Sequence, residues 1–295
     1  MMKLFPGFKS KRIRTSGATI NLVTGGNGPS VLLLHGYPET HAMWHKVAPA
    51  LARDYTVVCA DLRGYGDSSK PKGLPDHSNY SKRAMAKDMA EVMTRLGHRK
   101  FHVVGHDRGA RVAHRLARDH GSRVRSLAVL DISPTLRVFE STDMALARAF
   151  YHWFFLIQPA PYPERMIGGM AGEYLLGRVG RGASGLKHFS RAARREYLRC
   201  FDARGIHASC EDYRAAATID LIHDRKNLGS RIAMPVLALW ARHSPVGTMF
   251  DCLADWREVA RDVRGRSLDC GHFLPEEKPE DVLRELRRFL AKCGN

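Results

Sequence analysis

In VVGHDRGARVAH, residues 103 to 114, Gly105 and Gly109 flank one reactive side chain, Asp107, between a β-rich run and a helix-forming run. A glycine-flanked residue at a strand-to-helix turn is held up at the sheet edge, which is the pattern of a nucleophile elbow. An aspartate there differs from a serine in what it can attack. A carboxylate that meets an sp³ carbon displaces a leaving group and forms an ester, which water then hydrolyses with general-base help. If the helix begins at Arg108, Arg108 and Arg111 share one face of it. Two fixed cations beside one carboxylate suggest an anionic substrate.

The elements that must hold these groups follow from the hydrophobic pattern. ATINLVTGG and SVLLLHG read as strands, HAMWHKVAPALA as a helix, YTVVCAD as a strand and SKRAMAKDMAEVMTRLG as a helix. FHVVGH feeds the Asp107 turn, RGARVAHRLARDHG continues as a helix and VRSLAVLD as a strand. Such alternation belongs to a mostly parallel sheet with crossover helices. After Asp131 it stops. TDMALARAFYHWFFL, SRAARREYLRCF and CEDYRAAATIDL look helical, with proline-rich breaks such as QPAPYPE between them. Sheet character resumes at MPVLALWA, followed by DCLADWREVAR, RGRSLD and a last helix, KPEDVLRELRRFLAK. The expected class is α/β, a core of residues 1–131 and 231–295 interrupted by a helical cap over 132–230.

With 44% hydrophobic and 26% charged residues, the 295-residue chain has an ordinary globular composition. No apolar run approaches the roughly 18–20 residues that span a bilayer. The N-terminal MMKLFPGFKSKRIRT lacks the apolar stretch and small-residue cleavage site of a secretory leader. A cytoplasmic location with no membrane partner is expected. Cysteines 59, 200, 210, 252, 270 and 293 form no CxxC pair and no zinc-type spacing, so they read as reduced thiols. The formal charge of +17 would suit a nucleic-acid binder, but the basic residues are scattered through KSKRIR, RAARR and RELRR without a recognition motif. No nucleic-acid partner is expected. A basic ligand- or nucleic-acid-binding protein stays as the non-enzyme alternative, and the same field would draw in small anions.

Two further clusters carry less. Asp220, His223 and Asp224 in IDLIHDRKN read as a solvated turn of the cap rather than a metal site, because the chemistry at Asp107 needs no metal and no cofactor. GYGDS, residues 64 to 68, is a glycine turn without the Lys and Ser/Thr spacing of a phosphate loop.

The chain order of HG near residue 35, GHDRG at 105–109 and GHF at 271–273 resembles the α/β-hydrolase superfamily. His272 then follows the last strand, where a general base returns to the elbow. Many relatives carry the acid after the strand read here as MPVLALWA, where this chain has Arg242, His243 and Ser244. Asp131, at the end of VRSLAVLD, is the available substitute, its other reading being a cap on the DISP turn. Backbone N–H groups of Tyr37 and Arg108 would form the oxyanion hole for ester hydrolysis. In this setting an aspartate nucleophile points to dehalogenases or epoxide hydrolases and away from esterases.

Longer stretches narrow the resemblance. HGYPETHAMWHKVAPALA, DLRGYGDSS, GHDRGARVAHRLA, LDISPT, YHWFFLIQPAP, CEDYRAAA and CGHFLPEE are similar to the fluoroacetate (haloacetate) dehalogenases. That resemblance implies Asp107 as nucleophile, Asp131 and His272 as its triad partners, and Arg108 with Arg111 as the clamp for a substrate carboxylate. It also implies a halide pocket of His152, Trp153 and Tyr213, and a homodimer that no sequence feature locates. The pocket makes physical sense, since a departing fluoride needs several donors aimed at it, and imidazole, indole and phenol can each donate. Haloalkane dehalogenases place Trp straight after the nucleophile, whereas Arg108 stands here. Epoxide hydrolases typically use two cap tyrosines, and Tyr151, Tyr174 and Tyr213 keep that alternative open. Tyr37 and Glu39 stand where Phe and Gln are expected, and Ala241 where Gly is expected. Glu39, expected near the entrance, would oppose an anionic substrate.

Overall fold

A computed structural model describes residues 4–181 and 185–293. Its strands are β1 (Lys9–Arg14), β2 (Thr19–Gly25), β3 (Ser30–Leu34), β4 (Thr56–Ala60), β5 (Phe101–His106), β6 (Val124–Leu130), β7 (Val236–Ala241) and β8 (Val263–Leu268). They form one sheet in the order β1-β2-β4-β3-β5-β6-β7-β8. β1 and β2 run antiparallel to their neighbours, and β4, β3, β5, β6, β7 and β8 are parallel. The central strands SVLLL, FHVVGH and VRSLAVL are buried almost throughout. This is why they read as unbroken apolar runs, since helices cover both faces of a parallel sheet.

Sequence and structure part in three places. β1, KSKRIR, is a strand with an almost wholly exposed pattern, paired along its length with β2. The expected helix over HAMWHKVAPALA is a 3₁₀ segment, His41–Lys46, followed by the single α turn Ala48–Leu51, with a proline in its first turn. TDMALARAFYHWFFL is two helices, Met144–Ala149 and Tyr151–Leu156, separated by Phe150. That second break turns the HW pair inward as the start of its own helix, with His152 and Trp153 both buried.

Between β6 and β7 the described residues form helices and no strand. The long one, Ala203–Ala217, starts where the Asp202 side chain accepts the Gly205 N–H, and it buries Asp212 and Tyr213. Where the chain leaves β6, the buried indole of Trp256 donates to the Ile132 carbonyl at 2.9 Å, which fixes the backbone beside Asp131. All six cysteines are free. No described helix is long and apolar enough to cross a membrane.

Candidate active site

The site lies beyond the carboxyl ends of the parallel strands, where such sheets leave a crevice. Asp107 immediately follows β5 and heads the helix Arg108–Asp119. Its backbone is forced to φ 46° and ψ −114°, outside the usual regions for an L-residue. The glycines make this turn possible: a Cβ on Gly105 would sit 2.5 Å from Ala110 backbone, and one on Gly109 would sit 2.3 Å from the His35 carbonyl. The Tyr37 N–H donates to Asp107 Oδ1 at 2.9 Å, so Oδ2 is the oxygen left open. Burial works against ionisation of this carboxyl, but the charges of His272, His106 and Arg108 and the Tyr37 N–H hold it below its ordinary value. Asp107 is therefore a carboxylate at neutral pH.

His272, in the loop after β8, donates from Nδ1 to Asp131 Oδ2 at 2.5 Å. In the neutral ring that bond places the proton on Nδ1, and Nε2, 3.9 Å from Asp107 Oδ2, carries the lone pair. Asp131 also has positive φ, 53°. Its Oδ1 accepts from Ala241 N at 2.8 Å and Ser244 Oγ at 2.9 Å. The loop after β7 thus supplies donors to an acid carried by β6, while Arg242 and His243 point outward at more than half exposure.

Behind Asp107, His272 and Asp131 lies a buried acidic cluster. His106 Nε2 donates to the His272 carbonyl at 2.8 Å, and its Nδ1 faces Glu39 at 3.5 Å. Glu39 is 1% exposed, so it does not stand at the entrance as the sequence suggested. Burial raises its pKa against the opposing effect of His106. Nearby Glu276 is pushed up to about 8, by burial first and the charge of Glu39 second, while Lys46 and the Tyr197 hydroxyl oppose the rise.

The two arginines have different surroundings. Arg108 is fully buried, and its Nε and Nη2 donate to both carboxylate oxygens and the carbonyl of Asp212 at 2.8 Å. Its guanidinium lies 4.0 Å from the Tyr213 ring centre, and Nη1 has no partner. Arg111 is 3% exposed, and among the described residues it hydrogen-bonds to the Ser133 carbonyl at 3.2 Å and the Thr135 hydroxyl at 2.8 Å. Its Nε has no partner, and it makes no ion pair among the described residues. Burial, then repulsion from Arg108, lowers its pKa to about 10, so it remains cationic at neutral pH.

The facing wall comes from the helices between β6 and β7. His152 and Trp153 both meet Tyr213, with ring centres 5.8 and 6.1 Å away. Trp153 also lies under Arg111 at 4.7 Å. Adjacent helical residues diverge by about 100°, and Tyr213 closes the space between these two. The Tyr213 hydroxyl and His152 Nδ1 are buried without partners. Tyr174 meets the site through Tyr37, hydroxyl to hydroxyl at 3.3 Å, whereas Tyr151 is exposed at 45%.

Asp107, Asp131, His272, Tyr37, Arg108, Arg111, His152, Trp153 and Tyr213 are thus brought together, whereas Tyr151, also singled out from the sequence, is not. Sequence reasoning missed Asp212, Thr135, the donor role of Ser244, and Arg178, whose Nη2 lies 3.1 Å from His152 Nε2. Asp212 stood inside the quoted CEDYRAAA, but its pairing with Arg108 is a contact across 104 residues. Asp220 and Asp224 are not a solvated turn. Asp220 is buried and accepts the Lys82 N–H, and Asp224 accepts from Arg115.

Strand order, elbow and returning histidine define a class, and residues 29–279 match the α/β-hydrolase fold family: the chain belongs to it. It is 48% identical to a fluoroacetate dehalogenase of Burkholderia sp, over 98% of this chain and 95% of that one. It is also 34% identical to a soluble epoxide hydrolase of Corynebacterium sp., covering 94% and 95%. A solved α/β-hydrolase from Nostoc sp is 55% identical with a TM-score of 0.95, covering 96% of this chain and 98% of that one.

Proposed function

We propose that the protein is a hydrolytic dehalogenase that converts fluoroacetate and related 2-haloacids to 2-hydroxy acids and halide. The observation that carries this reading is the set of buried hydrogen-bond donors with nothing to donate to. Arg108 Nη1, Arg111 Nε and the Tyr213 hydroxyl all lack partners among the described residues around Asp107. Leaving a buried donor unpaired costs about 1–3 kcal/mol each. Such a cost is recovered when an anion binds, and a haloacid brings one in its carboxylate and creates another in its halide.

In this mechanism Arg108 and Arg111 bind the carboxylate and point the α-carbon at Asp107 Oδ2. The oxygen attacks, the C–O bond forms as the carbon–halogen bond breaks, and halide leaves with the bonding pair toward His152, Trp153 and Tyr213. His272 Nε2 then takes a proton from water, whose oxygen attacks the Asp107 ester carbonyl. The Tyr37 and Arg108 N–H groups hold the oxyanion, the first amides of a helix having no acceptor within it. Collapse of the intermediate expels the hydroxy acid, which takes the proton from His272 and restores Asp107. Asp131 orients His272 and stabilises its charged form. The helices of residues 132–230 act as a cap over a core of 1–131 and 231–295.

Epoxide hydrolysis by the same Asp107, His272 and Asp131 is the second reading. It is favoured by the free Tyr213 hydroxyl and by Tyr174 on the same wall. Arg111, a buried cation without a carboxylate partner, has no task in it. The test incubates purified protein and Asp107→Ala with fluoroacetate, chloroacetate and styrene oxide, following fluoride, chloride and diol. Fluoride release by the unmodified protein, reduced by about 10⁴-fold or more in the variant, is expected. Chloride without fluoride overturns the fluoride pocket, and diol without halide moves the assignment to the second reading.

A further inference from the structure

His152 has two ring nitrogens with opposite surroundings. Nε2 faces Arg178 Nη2 at 3.1 Å, and Nδ1 is buried with no partner. A guanidinium carries only donors, so Nε2 must be the acceptor in this contact. The proton of a neutral imidazole then sits on Nδ1, because the bond made at one nitrogen fixes the state of the other. Burial, followed by the charge of Arg178, keeps the His152 pKa well below its usual value, so the ring is neutral. It is held in place between Tyr37, stacked at 6.3 Å, and Tyr213, edge-on at 5.8 Å.

Arg178 belongs to the helix Ala171–Val179, and its own Nε and Nη1 are buried without a partner among the described residues. Its Cζ lies 5.9 Å from the Tyr151 ring centre, so the side chain is packed against the helix that carries His152. We infer that Arg178 is a positioning residue that sets the tautomer of His152, so that a neutral ring presents its Nδ1–H to the space where the leaving group departs. Without Arg178, the proton is free to move to Nε2, and Nδ1 becomes a lone pair facing an anion. The inference rests on the haloacid reading only in identifying that anion as halide.

The tautomer can be read without any substrate, from two-bond ¹H–¹⁵N correlations of histidine-labelled protein. His152 is expected to show a protonated Nδ1 and an unprotonated Nε2. Arg178→Met should shift it toward Nε2–H and slow single-turnover fluoride release by about tenfold or more, with bromide release from bromoacetate slowed less and KM changed little. Arg178→Lys, which still only donates, should restore both the tautomer and the rate. An Nε2–H or doubly protonated His152 in the unmodified protein overturns the inference, and so does an unchanged tautomer in Arg178→Met. If Arg178→Met fails to fold, the unmodified and Lys proteins still decide the matter. Should the tautomer be as inferred while no haloacid is turned over, the haloacid reading fails and the assignment of Arg178 stands.

Discussion

The two walls of the site are finished to different degrees. On the core wall, Asp107 Oδ1, both oxygens of Asp131 and Nδ1 of His272 have protein partners between 2.5 and 2.9 Å. On the facing wall, His152 Nδ1 and the Tyr213 hydroxyl are left open. Arg108 and Arg111 repeat the contrast on one helix, the first tied to Asp212 and the second without an acid partner. On the proposed reading, groups that react in a fixed direction are held by neighbours, and groups that receive a ligand keep a donor in reserve. The reserve costs stability, which is how binding function can be seen in a structure without ligand.

The contrast is broken most severely at His272. His272→Asn should leave displacement intact and stop ester hydrolysis, lowering turnover by about 10³–10⁴-fold, with one halide released per site and an adduct on Asp107 seen by mass spectrometry. Multiple turnovers without an adduct would remove His272 from the second step. Asp212→Ala should next cost about 3–5 kcal/mol of stability by leaving buried Arg108 uncompensated, measured by urea unfolding. Arg111→Gln sharpens the comparison from the other side. It should lower kcat/KM for haloacetate by about 10- to 100-fold, the value of a hydrogen bond to a charged group, with little loss of stability because no ion pair is removed. A loss as large as that of Asp212→Ala would mean that Arg111 is structural.

The smallest effect is expected behind the triad. The Glu276 carboxyl titrates near 8 in the fold against an ordinary 4.5, so the folded state binds its proton more tightly than the unfolded chain does. Stability from this group is full below the ordinary value and is lost as pH rises through the folded one. Glu276→Gln should therefore reduce the fall in unfolding free energy between about pH 6 and about pH 8 by about 2 kcal/mol. An unchanged slope would show that another group carries the titration.

Much of this was legible in the chain. SVLLL, TVVCA and FHVVGH announce a parallel sheet because buried strands need apolar residues on both faces. The meeting of Asp107 and His272 is legible because a strand-to-helix turn and a loop after the last strand stand at fixed chain positions in this fold. β1 was not, since KSKRIR has nothing to bury and is a strand only through its pairing with β2. Neither was the inward turn of Glu39, which depends on space beside His106, nor Asp212, whose partner lies on another helix. Local pattern reveals which element a residue belongs to, while partners across the fold reveal its charge state and use.

The outermost strands carry one more consequence. β1 and β8 each pair with a single neighbour, so the sheet has two open edges. One bears Lys9, Lys11, Arg12 and Arg14, the other Arg264 and Arg266. An open edge is a template on which another chain can add a strand, and cations along it deter that addition. Part of the +17 charge thus lies where it would oppose intermolecular sheet growth, more strongly at β1 than at β8, where Arg264 and Arg266 pair with Asp262 and Glu285. Neutralising these positions would leave the chemistry at Asp107 intact and make the protein prone to aggregate.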